Sequence, residues 1–145
     1  MPLPVGTEAP SFTAKDTNGN TVSLSDFKGK TVVMYFYPKD DTPGCTKQAC
    51  SFRDAQSQYQ SKDIAVLGVS ADDEASHQAF TQKFNLNFPL LVDTDKSLIQ
   101  AYDVDGGGYA KRVTYVIGTD GKISQVDSDV NTSTHAEDVL KSLGL

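Results

Sequence analysis

Three apolar runs punctuate an otherwise mixed chain. Residues 31–37, TVVMYFY, are β-branched or aromatic almost throughout, with no polar alternation. That pattern predicts a strand buried on both faces. Residues 64–70, IAVLGVS, predict a second buried strand, and residues 113–117, VTYVI, a third. The last is followed by the turn Thr119-Asp120-Gly121-Lys122 and a partner strand at 123–126. Two weaker strands near Phe12 and Val22 flank the turn cluster DTNGN. Helical spacing fills the gaps: residues 43–59, a segment from the N-cap Asp73 to Phe84, residues 97–102, and a last helix from Ser133 or Thr134 to Leu143 with Gly144 as its stop. Strand–helix–strand–helix with a closing hairpin and helix predicts an α/β sandwich on a mixed sheet, as one domain over residues 1–145. The glycines at 106–108 read as a flexible loop before the third strong strand.

Composition narrows the function. The 145 residues are 38% hydrophobic and 22% charged, a globular balance. A chain of this length buries about 68–70% of its unfolded surface, enough for a core without staples. The net charge of −6 disfavours nucleic acid and anionic membranes, whose phosphates it repels. No apolar run reaches the roughly 20 residues of a membrane span. The opening residues carry neither a basic stretch nor an apolar signal core, which points to the cytoplasm, with a plastid form whose transit peptide precedes this sequence as the alternative.

The only two cysteines, Cys45 and Cys50, share the segment YPKDDTPGCTKQAC at 37–50. In a reducing compartment such a pair suits catalysis, redox exchange or metal binding better than a structural staple. Thr42 precedes Pro43, and proline favours the first helical position while excluding its predecessor from helical geometry. Thr42 is therefore the expected N-cap and Cys45 the third helical residue. Unpaired N–H groups and the positive end of the helix dipole favour a thiolate there. Cys45, Ala49, Phe52, Gln56 and Tyr59 form an inward stripe, while Cys50 lies about 140° around the helix with Arg53, Asp54, Ser57 and Ser61. Cα atoms five helical residues apart stand roughly 8–9 Å from each other, beyond the about 4.4–6.8 Å of a disulfide. If the two thiols pair, the first turns must unwind.

Other readings of these residues compete. A cysteine on an inward stripe also suits an ordinary small core residue. Metal binding lacks the C-x2-C spacing, and His77 and His135 read as surface helix residues. Thioredoxin-type exchange wants C-x-x-C. DTNGNT from Asp16 and DVDGGG from Asp103 lack the full ligand pattern of a calcium loop and read as plain loops.

The segment also fits P-x-x-x-T-x-x-C through Pro38, Thr42 and Cys45. With GVSADD at 68–73, FPLLVD at 88–93, RVTYVI at 112–117, F-x-x-K at 80–83 and G-x-x-A-P-x-F at 6–12, nearly the whole chain resembles a peroxiredoxin. It is most similar to the bacterioferritin comigratory protein or peroxiredoxin Q group. The resemblance implies a thioredoxin-like fold with an N-terminal β-hairpin extension. It implies that Cys45 is the peroxidatic cysteine and Cys50 the resolving one, with Thr42 and Arg112 completing a peroxide pocket that Pro38 shields. The backbone N–H groups of Gly44 and Cys45 are further candidate donors.

The implied activity is reduction of hydrogen peroxide and organic hydroperoxides, recycled by thioredoxin or another dithiol donor, without metal, haem or flavin. Resolution within one chain implies a monomer. Two departures stand out: Gln48 where many relatives carry Glu, and Gly118 where an Asp commonly ends the strand. A general thiol–disulfide reductase and a redox-sensing interaction module remain the alternatives.

Overall fold

The computed structural model describes residues 2–144. The elements are β1 (Thr13–Lys15), β2 (Thr21–Ser23), β3 (Thr31–Phe36), α1 (Pro43–Asp54), α2 (Gln56–Ser61), β4 (Ile64–Ser70), α3 (Glu74–Phe84), β5 (Leu90–Val92), α4 (Ser97–Ala101), β6 (Val113–Ile117), β7 (Ile123–Asp127) and α5 (His135–Ser142). All seven strands join one mixed sheet in the order β2-β1-β5-β4-β3-β6-β7. β3, β4 and β5 run parallel; β6 lies antiparallel against β3, and β7 against β6. The weak β1–β2 hairpin docks on the sheet edge through Lys15 opposite Val92. Asp16 closes its turn by accepting from the backbone N–H groups of Asn18 and Asn20, so DTNGN is the turn its composition predicts.

The unbroken hydrophobicity of residues 31–37 has a simple origin. Side chains alternate faces along a strand. Val33, Tyr35 and Tyr37 enter the core beneath α1, α2 and α5, while Val32, Met34 and Phe36 enter a second core with Leu98, Ile99, Tyr102 and Tyr115. Both faces are covered, so neither needs polar residues. Gly68 on β4 is fixed by close packing: a Cβ there would lie 2.7 Å from Leu90 Cδ2 and 3.0 Å from the Tyr35 hydroxyl.

The structure departs from the sequence reading at four places. The helix expected over 43–59 is two, α1 and α2, broken at Ala55 (φ −97°, ψ 2°). In a continuous helix the Phe52 carbonyl would accept from the Gln56 backbone; here it accepts from Ala55 N at 3.2 Å and from Gln56 Nε2 at 3.4 Å. Residues 106–108 are tied down rather than loose. Asp105 Oδ1 accepts from Gly107 N, and Gly106 N donates to the Tyr109 carbonyl. β5, which the periodicity left unassigned, is a three-residue strand between β4, to which it is parallel, and β1, to which it is antiparallel.

The fourth departure concerns both histidines, which are fully buried rather than on the surface. His77 lies on the α3 stripe with Phe80 that faces the sheet. Its ring nitrogens meet Asp40 Oδ2 and the Leu91 carbonyl, so burial leaves neither unsatisfied. His135 begins α5, its Nε2 2.8 Å from Thr114 Oγ1.

Phe52 is the centre of the aromatic core under α1, stacked on Tyr35 at 4.8 Å and edge-on to Tyr59, Phe88 and His135. Phe52→Ala is expected to cost about 3–5 kcal/mol of unfolding free energy. Urea denaturation with an unchanged m-value checks this; a cost below about 1 kcal/mol would show that the core is not anchored there.

Candidate active site

The turn after β3 sets the geometry. Asp41 takes left-handed backbone (φ 58°), and Thr42 returns to extended geometry (φ −96°, ψ 156°) as the N-cap of α1, with Pro43 inside the first turn. The helix starts where the Thr-Pro step predicts. The Thr42 hydroxyl is used differently from an ordinary cap: Oγ1 donates to the Lys39 carbonyl at 2.9 Å and does not bond the helix. The leading N–H groups of α1 receive no side-chain cap, and the hydroxyl keeps lone pairs free to accept. Pro38 is half-buried in the same turn.

Cys45 is 1% exposed, on the inward stripe with Gln48, Ala49 and Phe52. Antiparallel pairing of Phe36 with Val113 brings the start of β6 beside the turn after β3. Arg112, immediately before β6, reaches back to α1: Nη1 donates to Gln48 Oε1 at 2.7 Å and Nη2 to Cys45 Sγ at 3.3 Å. The guanidinium thus sets a fixed positive charge and a directed N–H donor against the sulfur. Gln48 is fully buried and its Nε2 has no partner. As an amide it orients the guanidinium without cancelling its charge, as a carboxylate there would. Gly44 admits the arginine, because a Cβ on it would lie 3.1 Å from Arg112 Nη2.

The surroundings carry little other charge. Burial pushes the Tyr35 phenol well up, with Cys45 and Asp40 adding to the effect, so it stays neutral. Burial pushes His135 down; Asp127 and Asp138 oppose this, and Arg112 adds to it, which leaves a neutral ring edge-on to Phe52. Among the described residues, no cluster of three or more His, Cys, Asp or Glu side chains lies together as a metal site requires.

Of the residues singled out in the sequence, the structure gathers Cys45, Gly44 and Arg112 and adds Gln48 as the arginine's partner. Thr42 stands at the helix start. Cys50 is kept apart: it is a free thiol, half-buried, on a helix that is intact between it and Cys45. The inward stripe read from the sequence left Gln48 out; its place three residues, about one turn, after Cys45 is the signal that could have put it on the buried side. The arrangement can present a shielded sulfur nucleophile with donors for the charge that develops on a leaving oxygen.

Gly44→Ala is expected to displace the Arg112 guanidinium by a few tenths of an ångström. Alkylation of Cys45 by iodoacetamide should slow about three- to tenfold, with stability changed by less than about 1 kcal/mol. An unchanged alkylation rate would show that Arg112 does not govern the thiol.

Comparison with known proteins gives the family. The AhpC/TSA family pattern matches residues 5–126. A relative from Coxiella burnetii is 44% identical over 99% of this chain and 100% of its own. The peroxiredoxin Bcp of Bacillus subtilis is 40% identical over 99% of this chain and 96% of its own. The chloroplastic peroxiredoxin Q of Populus jackii is 43% identical over 95% of this chain and 67% of its own. The bacterioferritin comigratory protein of Xanthomonas campestris superposes with a TM-score of 0.89 at 30% identity, over 97% of this chain and 98% of that one. Identities of 40–44% and a TM-score of 0.89, each over nearly the whole of this chain, lead to one assignment: the chain belongs to the AhpC/TSA family of peroxiredoxins, in its Bcp and peroxiredoxin Q group.

Proposed function

We propose that the peroxidase activity of this peroxiredoxin runs on Cys45, with Cys50 as the resolving thiol and Arg112, Thr42 and the Gly44 and Cys45 backbone N–H groups as the peroxide pocket. The observation that carries the reading is Arg112 Nη2 at 3.3 Å from a sulfur that is 1% exposed. Pro38, in the turn beside it, limits access of water.

The Cys45 thiolate attacks the outer oxygen of ROOH. The O–O bond breaks, sulfur is oxidised to a sulfenic acid, and RO⁻ leaves as ROH after taking a proton. Arg112 and the helix N–H groups stabilise the charge moving onto the leaving oxygen. The Thr42 hydroxyl, already donating to Lys39, accepts from the peroxide O–H. The first turns of α1 then open, Cys50 attacks the sulfenic sulfur, and a disulfide forms with release of water. An external dithiol, thioredoxin or a similar donor, reduces it.

The alkyl peroxide reduction activity of the Xanthomonas campestris relative supports organic hydroperoxides as substrates beside hydrogen peroxide. Because both thiols belong to one chain, the cycle needs no second subunit, and a monomer suffices. Free thiols and a dithiol donor suit a reducing compartment, for which we infer the cytoplasm. Among the described residues, no helix is long and apolar enough to cross a membrane.

Cys45→Ser is expected to abolish peroxide consumption. Cys50→Ser should retain the first stoichiometric turnover and lose thioredoxin-linked cycling; full cycling in that variant would remove Cys50 from the mechanism. Oxidation of the native protein should lower its helical circular dichroism by roughly two helical turns and expose the amides of residues 43–50 to exchange. An unchanged helix in the disulfide form would refute the opening step.

A further inference from the structure

Asp40 stands two residues before Thr42 and five before Cys45. Its carboxylate is buried and accepts three hydrogen bonds: from the Tyr37 hydroxyl at 2.6 Å on Oδ1, and on Oδ2 from Ser76 Oγ at 2.8 Å and His77 Nδ1 at 2.7 Å. The other ring nitrogen of His77, Nε2, lies 2.8 Å from the Leu91 carbonyl. A carbonyl only accepts, so Nε2 carries a proton. The bond between Nδ1 and Asp40 needs one more, and the two buried groups hold it between them. The backbone N–H of Asp40 donates to Asp72 Oδ2 at 2.8 Å, and Ser70 Oγ donates to the same oxygen. Residue 40 is thus tied to the end of β4, to the first turn of α3 and, through His77, to β5.

We propose that His77 is a positioning residue for the Cys45 chemistry: through Asp40 it fixes residues 38–42, and with them the start of α1 that faces Arg112, and loss of the shared proton releases that hold. The proposal rests on Cys45 being the reacting thiol. With the proton gone, a buried carboxylate faces the Nδ1 lone pair without a donor between them, which is costly in a site closed to water.

The groups around the imidazole set the direction of its pH response. Asp40 and Tyr37 face it from β3 and the following turn, and Asp72 from the end of β4. On its own helix Asp73 is turned to Ser76 N, and on β5 the Asp93 carboxylate is turned to Leu98 and Ile99 N. Burial pushes His77 down, but the Asp40 bond and charge, the Leu91 carbonyl and Asp72 outweigh it, and the net shift is upward from 6.5. A raised folded pKa contributes stability that is complete below the unfolded value and is lost as pH rises through the folded one. The hold is therefore firm below the ordinary value of 6.5 and released as pH rises through the higher folded value.

Two substitutions separate positioning from bulk stability. In His77→Asn the side-chain amide donates from the place of Nδ1 and keeps Asp40. In His77→Gln it donates from the place of Nε2 and keeps Leu91 instead. Both lose the ring. The rate of Cys45 oxidation by hydrogen peroxide is measured from about pH 6 to 9, with amide exchange over residues 38–46, corrected for intrinsic exchange.

The Asn variant is expected within about threefold of the native rate, and the Gln variant about tenfold or more below it at pH 6 with its loop amides exposed. The native-to-Gln ratio should close toward one as pH rises. Equal rates in the two variants, or a ratio independent of pH, would overturn the proposal. Should neither variant fold, the native protein alone decides: protection of residues 38–46 must fall with rising pH, and constant protection rejects the hold. Native protein whose Cys45 is not oxidised at any pH counts instead against the Cys45 reading, and the exchange data then judge the hold separately.

Discussion

A guanidinium 3.3 Å from a buried sulfur is the contact on which the rest of this molecule converges. A sulfur sealed from water has no solvent donors, so charge that develops beside it must be met by a fixed positive group. Arg112 can be that group only because β6 pairs antiparallel with β3, which sets the residue before β6 beside the turn after β3. Gln48 holds one arm of the guanidinium, and the missing side chain of Gly44 lets the other arm reach the sulfur. The sheet register, one amide and one glycine therefore have a common purpose.

The helix that carries both thiols is built in two parts with different mechanical characters. Its far end is held by α5, where Ser51 Oγ accepts from Ala136 N, and α2 is tied to the same residue by the Tyr59 hydroxyl, which donates to the Ala136 carbonyl. Phe52 and Tyr59 sit in the aromatic core between these two bonds. The near end, residues 43–50, has a proline and a glycine in its first turn and no side-chain cap from Thr42. In the proposed cycle the near end opens while the far end stays seated, so unwinding is limited to the stretch that separates Cys45 from Cys50. The break at Ala55 isolates α2 from that movement.

The opposite requirement applies to the turn before the helix. It must keep Thr42 in place while the helix behind it changes. Buried charge does this where apolar packing alone would not, because a carboxylate with three donors has one satisfied geometry. Lys83, bonded to Asp41 at 2.8 Å, adds an exposed contact to the same turn and contributes little by comparison.

The sequence by itself determined the start of the helix that carries the cysteines, the strands 64–70 and 113–117, and the inward placement of Cys45, while Cys50, expected on a solvated face, is half-buried. These are local matters: a Thr-Pro step, an apolar run and a helical period are each contained in a few neighbouring residues. The resemblance of the motifs to a peroxiredoxin supplied Arg112, which its position at a strand start would not have singled out. What only the tertiary structure decided lies in contacts between distant segments. The Asp40–His77 pair spans 37 residues, and the Arg112–Gln48 bond spans 64. The histidines looked like surface residues because polarity is a property of a residue, whereas burial depends on what arrives opposite it. The helix break at Ala55 is local instead, and helical spacing does not reveal it: the Phe52 carbonyl accepts from Ala55 N and the Gln56 side-chain amide.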